Sequence, residues 1–447
     1  MQPCDNDAVI DEGEPCDDGD DDPLDGCTPA CTPTRAALLS VGGLGYQTCA
    51  ILRTGEARCW GRNTDGQTGY PPGDNDANEL PSTKPRLVAP DLEPFTTVQA
   101  GGRHACARTG AGRVFCWGFR GQGRIGDGES ECNECEDIGD LRPLDVLSLG
   151  DALKIPGGPV EDIAVGNAHT CALTEDHNVS CWGSNDKGQL GLGHDLCVGN
   201  LCAPDIVGLD LGDAAGKVEQ VAAGVLHTCV RLATPVDNVM CWGYRAHGRL
   251  GYGDQDAEMA GIPSAAERGL VKLGARTAID ISVGEGFTCV VLDDHNARCW
   301  GQNNQGQLGQ GDILSRGDSD ETTPDRIPDI ALGVAISKIR CGYEHVCALT
   351  SDQTVLCWGR NDEGQLGYGN TVNVGAVSPP IDAGAVDLGA AAIDLAVGKK
   401  HTCALLDTSE IKCWGAADDG QLGYGDEQIG DRATPASVGG VPFYPEP

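Results

Sequence analysis

Tryptophan occurs seven times in 447 residues, at Trp60, Trp117, Trp182, Trp242, Trp300, Trp358 and Trp414, and each time it is preceded by Cys and followed by Gly. Around each lies one pattern, written most fully as HTCALTEDHNVSCWGSNDKGQLG from His169 to Gly191. A unit recurring about every 58 residues is a supersecondary block that buries its apolar face only against its neighbours. The array therefore replaces the roughly two to four domains that length alone predicts.

Each copy reads as four short extended segments. The first is apolar and ends in Gly, as in DIAVG (162–166), DISVG (280–284) and DLAVG (394–398). HTCAL or a variant is the second and the CWG segment the third. The fourth is a proline-flanked apolar run such as PDRIPDI (324–330). Alternation and β-branched content between Gly, Asn and Asp turns make these strands, and helical periodicity is absent. The expected fold is all-β, a seven-bladed β-propeller of four-stranded blades over residues 35–447, preceded by a small disulfide-rich N-terminal module at 1–34.

Cysteine, 23 in all, sharpens this reading. Within the second and third segments two cysteines lie ten apart, as Cys49–Cys59, Cys106–Cys116, Cys171–Cys181, Cys289–Cys299, Cys347–Cys357 and Cys403–Cys413; in the fourth copy, Cys229–Cys241, they lie twelve apart. An insertion of two residues in a hairpin turn keeps side-chain parity. These pairs are therefore expected to face each other as seven intrablade disulfides, which places the chain in an oxidising compartment, secreted or at a cell surface. The first 30 residues show neither a basic n-region nor an apolar h-region, so no signal peptide is expected in this chain, and no apolar run is long enough for a spanning helix.

Recurrence also assigns the other conspicuous residues to the scaffold. Tryptophan next to Cys on a strand points to the opposite side, into the packing between blades. The histidines His104, His169, His227, His345 and His401 are replaced by Gln47 and Phe287 in two copies, a tolerance that fits structural hydrogen bonding better than a metal ring. The GQLG turn has no following helix and no Lys at the P-loop offset, so it is not a phosphate loop. Cys341 stands where Val165, Val283 and Val397 stand in other copies and is expected to be a buried free thiol.

With 31 basic against 67 acidic residues, the net charge of -36 repels phosphate backbones and anionic membranes, so nucleic acid is not an expected partner. Residues 1–34 concentrate this acidity, with nine aspartates around Cys4, Cys16, Cys27 and Cys31. Two disulfides must hold such a segment, and three pairings remain open. Asp17, Asp18, Asp20, Asp22 and Asp25 could ligate calcium, although no EF-hand spacing is present; the alternative is a solvated acidic module, and otherwise no cofactor is expected. The segment resembles the short cysteine-rich repeats of secreted and surface proteins of myxobacteria.

The propeller segment itself, with its AxG, HTCAL, CWG and GQLGxG motifs over residues 36–443, resembles repeats of the regulator of chromosome condensation type, in a cysteine-rich variant like that of secreted bacterial members. The resemblance implies a closed seven-bladed propeller. It also implies that function resides on a propeller face, as in a secreted relative that covers the active site of a β-lactamase.

If the repeated motifs are scaffold, function belongs where copies differ. Two insertions stand out. One, after copy two, carries Glu129, Glu131, Cys132, Glu134, Cys135 and Asp137; the other, after copy three, carries His194, Asp195, Cys197 and Cys202. Local bridges Cys132–Cys135 and Cys197–Cys202 would stiffen them into one ridge, with a zinc site as the alternative use of the four cysteines. The expected function is a monomeric, secreted or cell-surface binding scaffold that presents this ridge to an extracellular protein or glycan. The alternative is an extracellular lyase or glycosidase with carboxylates at the channel mouth.

Overall fold

The computed structural model describes residues 36–41, 45–69, 82–88, 93–126, 144–145, 155–195, 206–254, 263–425 and 434–443. Seven antiparallel sheets follow one another along the chain, each with the order innermost, middle and third strand. In the third blade these are Val160–Val165, His169–Thr174 and Val179–Gly183. Blades one and two carry a fourth strand, Ser82–Val88 and Leu144–Asp145.

In the other five blades the outer segment touches the third strand through little more than a single backbone bond. Leu209, Val271, Ile330, Val386 and Val441 each donate their N–H to the first residue of that strand, at 2.7–2.8 Å. PDRIPDI is therefore not a strand, because Pro324 and Pro328 have no N–H with which to continue the ladder.

The hairpin register places Cys171 opposite Cys181, and likewise every other pair, including Cys229 opposite Cys241. All seven disulfides are formed. One residue in each hairpin takes a left-handed conformation, His177 at φ 58° in the third blade and Asp237 at φ 46° in the longer turn of the fourth. That is how a type I turn followed by a left-handed residue closes a hairpin. The Gly after each Trp is equally constrained: at Gly183, φ 106°, a Cβ would lie 2.7 Å from the Ala168 carbonyl oxygen. Replacing Cys171 and Cys181 together by Ala is expected to cost about 2–3 kcal/mol through lost loop closure. Denaturant midpoints of the variant against the parent measure this, and unchanged midpoints would contradict it.

Tryptophan fills the space between blades, with 0–2% exposure at all seven positions. Its indole N–H donates to the backbone carbonyl of the Gln in the preceding blade's GQLG turn, as from Trp242 to Gln189 (3.0 Å) and from Trp414 to Gln365 (3.0 Å). Arg124 and Arg249 replace that Gln in blades two and four, and the indoles that follow, Trp182 and Trp300, have no acceptor among the described residues.

The same carbonyl also accepts from a threonine hydroxyl, as from Thr228 (2.8 Å) and Thr402 (2.9 Å). Since that hydroxyl has given its only proton, it must accept from the histidine Nε2 of the preceding blade. This assigns the Nε2–H tautomer to His169 against Thr228 (2.9 Å), His345 against Thr402 (3.0 Å) and His401 against Thr48 (2.9 Å). Where the histidine is absent, so is its threonine: Gln47 precedes Ala105, and Phe287 precedes Val346. Each histidine is fully buried between blades and serves as an interblade tie.

Among the described residues, the ring closes without strand exchange. Blade one is contiguous from Ala36 to Val88, and the segment 434–443 lies along blade seven, where Val441 donates to Ile411. The seam is held mostly by side chains, with Thr48 and Trp60 on the Gln421 carbonyl (2.9 and 3.0 Å), Arg62 on Asp419 (2.9 Å) and Phe443 edge-on to Trp60 at 6.3 Å, and by a backbone bond from the Lys399 N–H to the Gly45 carbonyl (3.1 Å).

Candidate functional site

Antiparallel blades put two kinds of turn on each end of the ring. Turns from the innermost to the middle strand share one face with the GQLG turns that follow each Trp. Two positions there flank the repeated motif and differ from copy to copy: the residue just before the second strand, and the residue after CWG.

Tyr46 and Arg103 at the first position and Arg62, Phe119 and Tyr244 at the second join Tyr343 and Lys399, one residue further from the second strand, and Lys187, Arg124 and Arg249 of the GQLG turns in a collar of aromatic rings and cations. Arg62 and Lys399 lie over Tyr46, at 4.5 and 4.8 Å from the ring centroid. Arg103 and Arg124 lie over Phe119, at 4.1 and 4.7 Å. Lys187 and Arg249 lie over Tyr244, at 6.0 and 4.9 Å, and Lys399 reaches Tyr343 as well, at 4.9 Å. Burial lowers both Arg124 and Arg249 to about 10, and backbone carbonyls hold both guanidiniums, Gly121 and Asn167 for Arg124 and Ala246 and Glu285 for Arg249. Lys399 has no carboxylate within ion-pair distance among the described residues.

The channel within the collar is a cavity of about 190 Å³ lined by the innermost strands. Most of its charge is internally satisfied. Asp280 accepts from Gln220 Nε2 (2.9 Å), the Ile339 N–H (2.8 Å) and Arg340 Nη1 (3.0 Å), and Asp394 accepts from Lys338 Nζ (2.6 Å). Asp162 differs: its only donor among the described residues is the Ile163 N–H (2.9 Å), and burial pushes its carboxyl up to about 6. Cys341 lies in the same wall, its thiol 3.5 Å from the Ser282 carbonyl oxygen, and burial pushes it up to about 12, which leaves it unreactive.

Family comparison fits this architecture. The model of the RCC1-like domain matches residues 141–444, and that of the regulator of chromosome condensation (RCC1) repeat matches 45–67 and 95–123. The chain belongs to the RCC1-like family. The ultraviolet-B receptor UVR8 of Arabidopsis thaliana is 30% identical over 413 residues, which is 91% of this chain and 82% of the receptor. Among solved structures, human WBSCR16 superposes with a TM-score of 0.66 at 21% identity, covering 83% of this chain and 87% of that one. Prp20p of Saccharomyces cerevisiae, described with its binding properties to Gsp1p and histones, superposes with a TM-score of 0.63 at 19% identity, covering 88% and 85%.

Against this RCC1-like frame, the residues that the sequence singles out fall in three groups. The seven disulfides, the tryptophans and the histidines are scaffold. His194 and Asp195 are exposed on the collar face, where Asn185 Nδ2 holds the His194 carbonyl at 2.7 Å. Glu129, Glu131, Cys132, Glu134, Cys135, Asp137, Cys197 and Cys202, and the calcium candidates Asp17, Asp18, Asp20, Asp22 and Asp25, lie outside the described residues. Sequence reading missed the collar itself. Its signal was present in the copy-to-copy variation at the two flanking positions, but each position is a single residue and is overshadowed by the longer insertions.

Proposed function

We propose that this RCC1-like propeller is a non-catalytic binding scaffold, secreted or displayed at a cell surface, that engages an extracellular protein through the collar face. The observation that carries this reading is the cluster of Tyr46, Phe119, Tyr244 and Tyr343 under cations, at positions where an otherwise repeated pattern varies. Aromatic and arginine side chains dominate the energetics of protein interfaces. Three of these rings carry two cations each, which leaves little free ring face for a sugar to stack on and favours protein over glycan. The seven disulfides support an oxidising compartment. Among the described residues no helix is long and apolar enough to cross a membrane.

Catalysis by paired carboxylates is less well supported. Glycoside hydrolysis generally needs two such groups, and in the channel Asp280 and Asp394 are each closed by a cation, leaving Asp162 alone. We further propose that residues 1–34 form a separate acidic module, a calcium binder through Asp17 to Asp25, and that the chain is a monomer.

Cross-linking the intact chain to its native surroundings, with Tyr46→Ala/Lys399→Glu as the comparison, tests the main reading. The variant is expected to lose the captured partner at least about tenfold, as removal of one or two hot-spot residues does, while Val236→Ala on the opposite face retains it. Capture unaffected by the collar variant would place the interface elsewhere. Turnover of a polysaccharide that disappears with Asp162→Asn would instead favour the enzyme reading.

A further inference from the structure

Among the described residues, the channel holds one carboxylate and one guanidinium that the fold leaves open. Asp162 uses one oxygen on its neighbour's N–H, and its second oxygen has no donor. Arg340 commits Nη1 to Asp280 and to the Ile339 carbonyl oxygen (2.7 Å), while Nε and Nη2 have no partner. Both side chains line the same cavity, together with Gln99, Gln220, Ser282 and Cys341. Asp280 fixes the arrangement, since it orients Gln220 and Arg340 at once.

We infer that the channel binds a small zwitterion of the α-amino-acid class, with its ammonium on Asp162 and its carboxylate on Arg340. A simple amine would leave Nε and Nη2 of Arg340 without an acceptor, and a simple acid would lie against the Asp162 carboxylate. A cavity of about 190 Å³ falls below the roughly 300–1,000 Å³ of pockets for drug-sized ligands, which sets the size class. The groups around Asp162 are Arg340, Arg108 and Glu161; Arg108 Nη1 is turned toward the Thr109 and Val160 carbonyl oxygens, 3.4 Å from each.

Calorimetric titration of the full chain with glycine, L-alanine and L-glutamine tests the site, with methylamine, ethylamine, acetate and propionate as half-ligands. At least one amino acid is expected to bind more tightly than its half-ligands. Asp162→Asn, which keeps the Ile163 hydrogen bond, should weaken that binding at least about tenfold, the scale of one lost charge-assisted contact, with its melting temperature unchanged. Arg340→Lys keeps a cation for Asp280, loses the open fork, and should show the same loss. Binding should also weaken as pH falls through about 6, where Asp162 gains a proton. No heat with any amino acid at about 10 mM, which excludes even millimolar affinity, would overturn the inference. So would an Asp162→Asn chain that binds as well as the parent, or an amine that binds as well as its amino acid.

Discussion

Acidification from about pH 7 to about pH 4 is expected to unfold the propeller with its disulfides intact, seen as loss of the near-ultraviolet tryptophan signal. The cause is the interblade histidines. Burial lowers all five well below the usual 6.5, to about 4 for His169 and about 3 for His345 and His401. In the unfolded chain the same rings take up protons near pH 6.5, so through this window the unfolded state binds more protons and stability falls with falling pH. At about 1.4 kcal/mol per unit, His169, His345 and His401 each contribute on the order of 3 kcal/mol by pH 4, and these three together rival the roughly 5–15 kcal/mol that hold a domain, with His104 and His227 acting in the same direction. Asp162 and Glu285 act in the opposite sense, because their folded values are raised and the folded state takes up their protons first, whereas the lowered carboxyls of Asp186, Asp312 and Asp362 act with the histidines. Replacing His345 by Phe and Thr402 by Val reproduces the natural Phe287/Val346 pair. The acid midpoint of that variant should move to lower pH, and an unmoved midpoint would show that the histidines are not the cause.

Trp60→Ala should be the most damaging of the tryptophan substitutions. Large-to-small changes at a buried aromatic cost about 3–5 kcal/mol, and Trp60 adds a hydrogen bond to the Gln421 carbonyl and the edge contact with Phe443. These contacts cross the seam, where among the described residues no shared strand holds blade one to blade seven. Trp300→Ala is the matched control, equally buried but with no acceptor for its indole N–H among the described residues. Denaturant midpoints should fall further for Trp60→Ala by about 1 kcal/mol or more, the worth of one hydrogen bond plus its packing. Equal midpoints would mean that the seam is no more sensitive than the blade boundary at Trp300.

Most of the scaffold was legible because it is written seven times. The parity-preserving insertion between Cys229 and Cys241 fixed the hairpin register before any coordinates, and the regular CWG placed every indole between blades. The fourth segment was less legible: apolar content looked like a strand in PDRIPDI, yet its prolines leave only Ile330 to bond the sheet. The histidine–threonine ties were harder still, since four join residues 57–66 apart in neighbouring copies and the fifth, His401–Thr48, joins residues 353 apart across the seam. Only the paired losses at Gln47/Ala105 and Phe287/Val346 betray them. The channel chemistry was not legible, because Asp162, Asp280 and Asp394 occupy equivalent positions of the innermost strand, and which of them lacks a cation depends on neighbouring blades.

The disulfides have a consequence for how such a chain is made. Each joins cysteines ten or twelve residues apart, and each blade is drawn from one continuous run of sequence. As the polypeptide emerges from its N-terminal end, both thiols of a hairpin are present before the next blade begins. Oxidation can then proceed blade by blade, each correct partner being by far the nearest. Only the join between Trp60 and Gln421 has to wait until the seventh blade has been made.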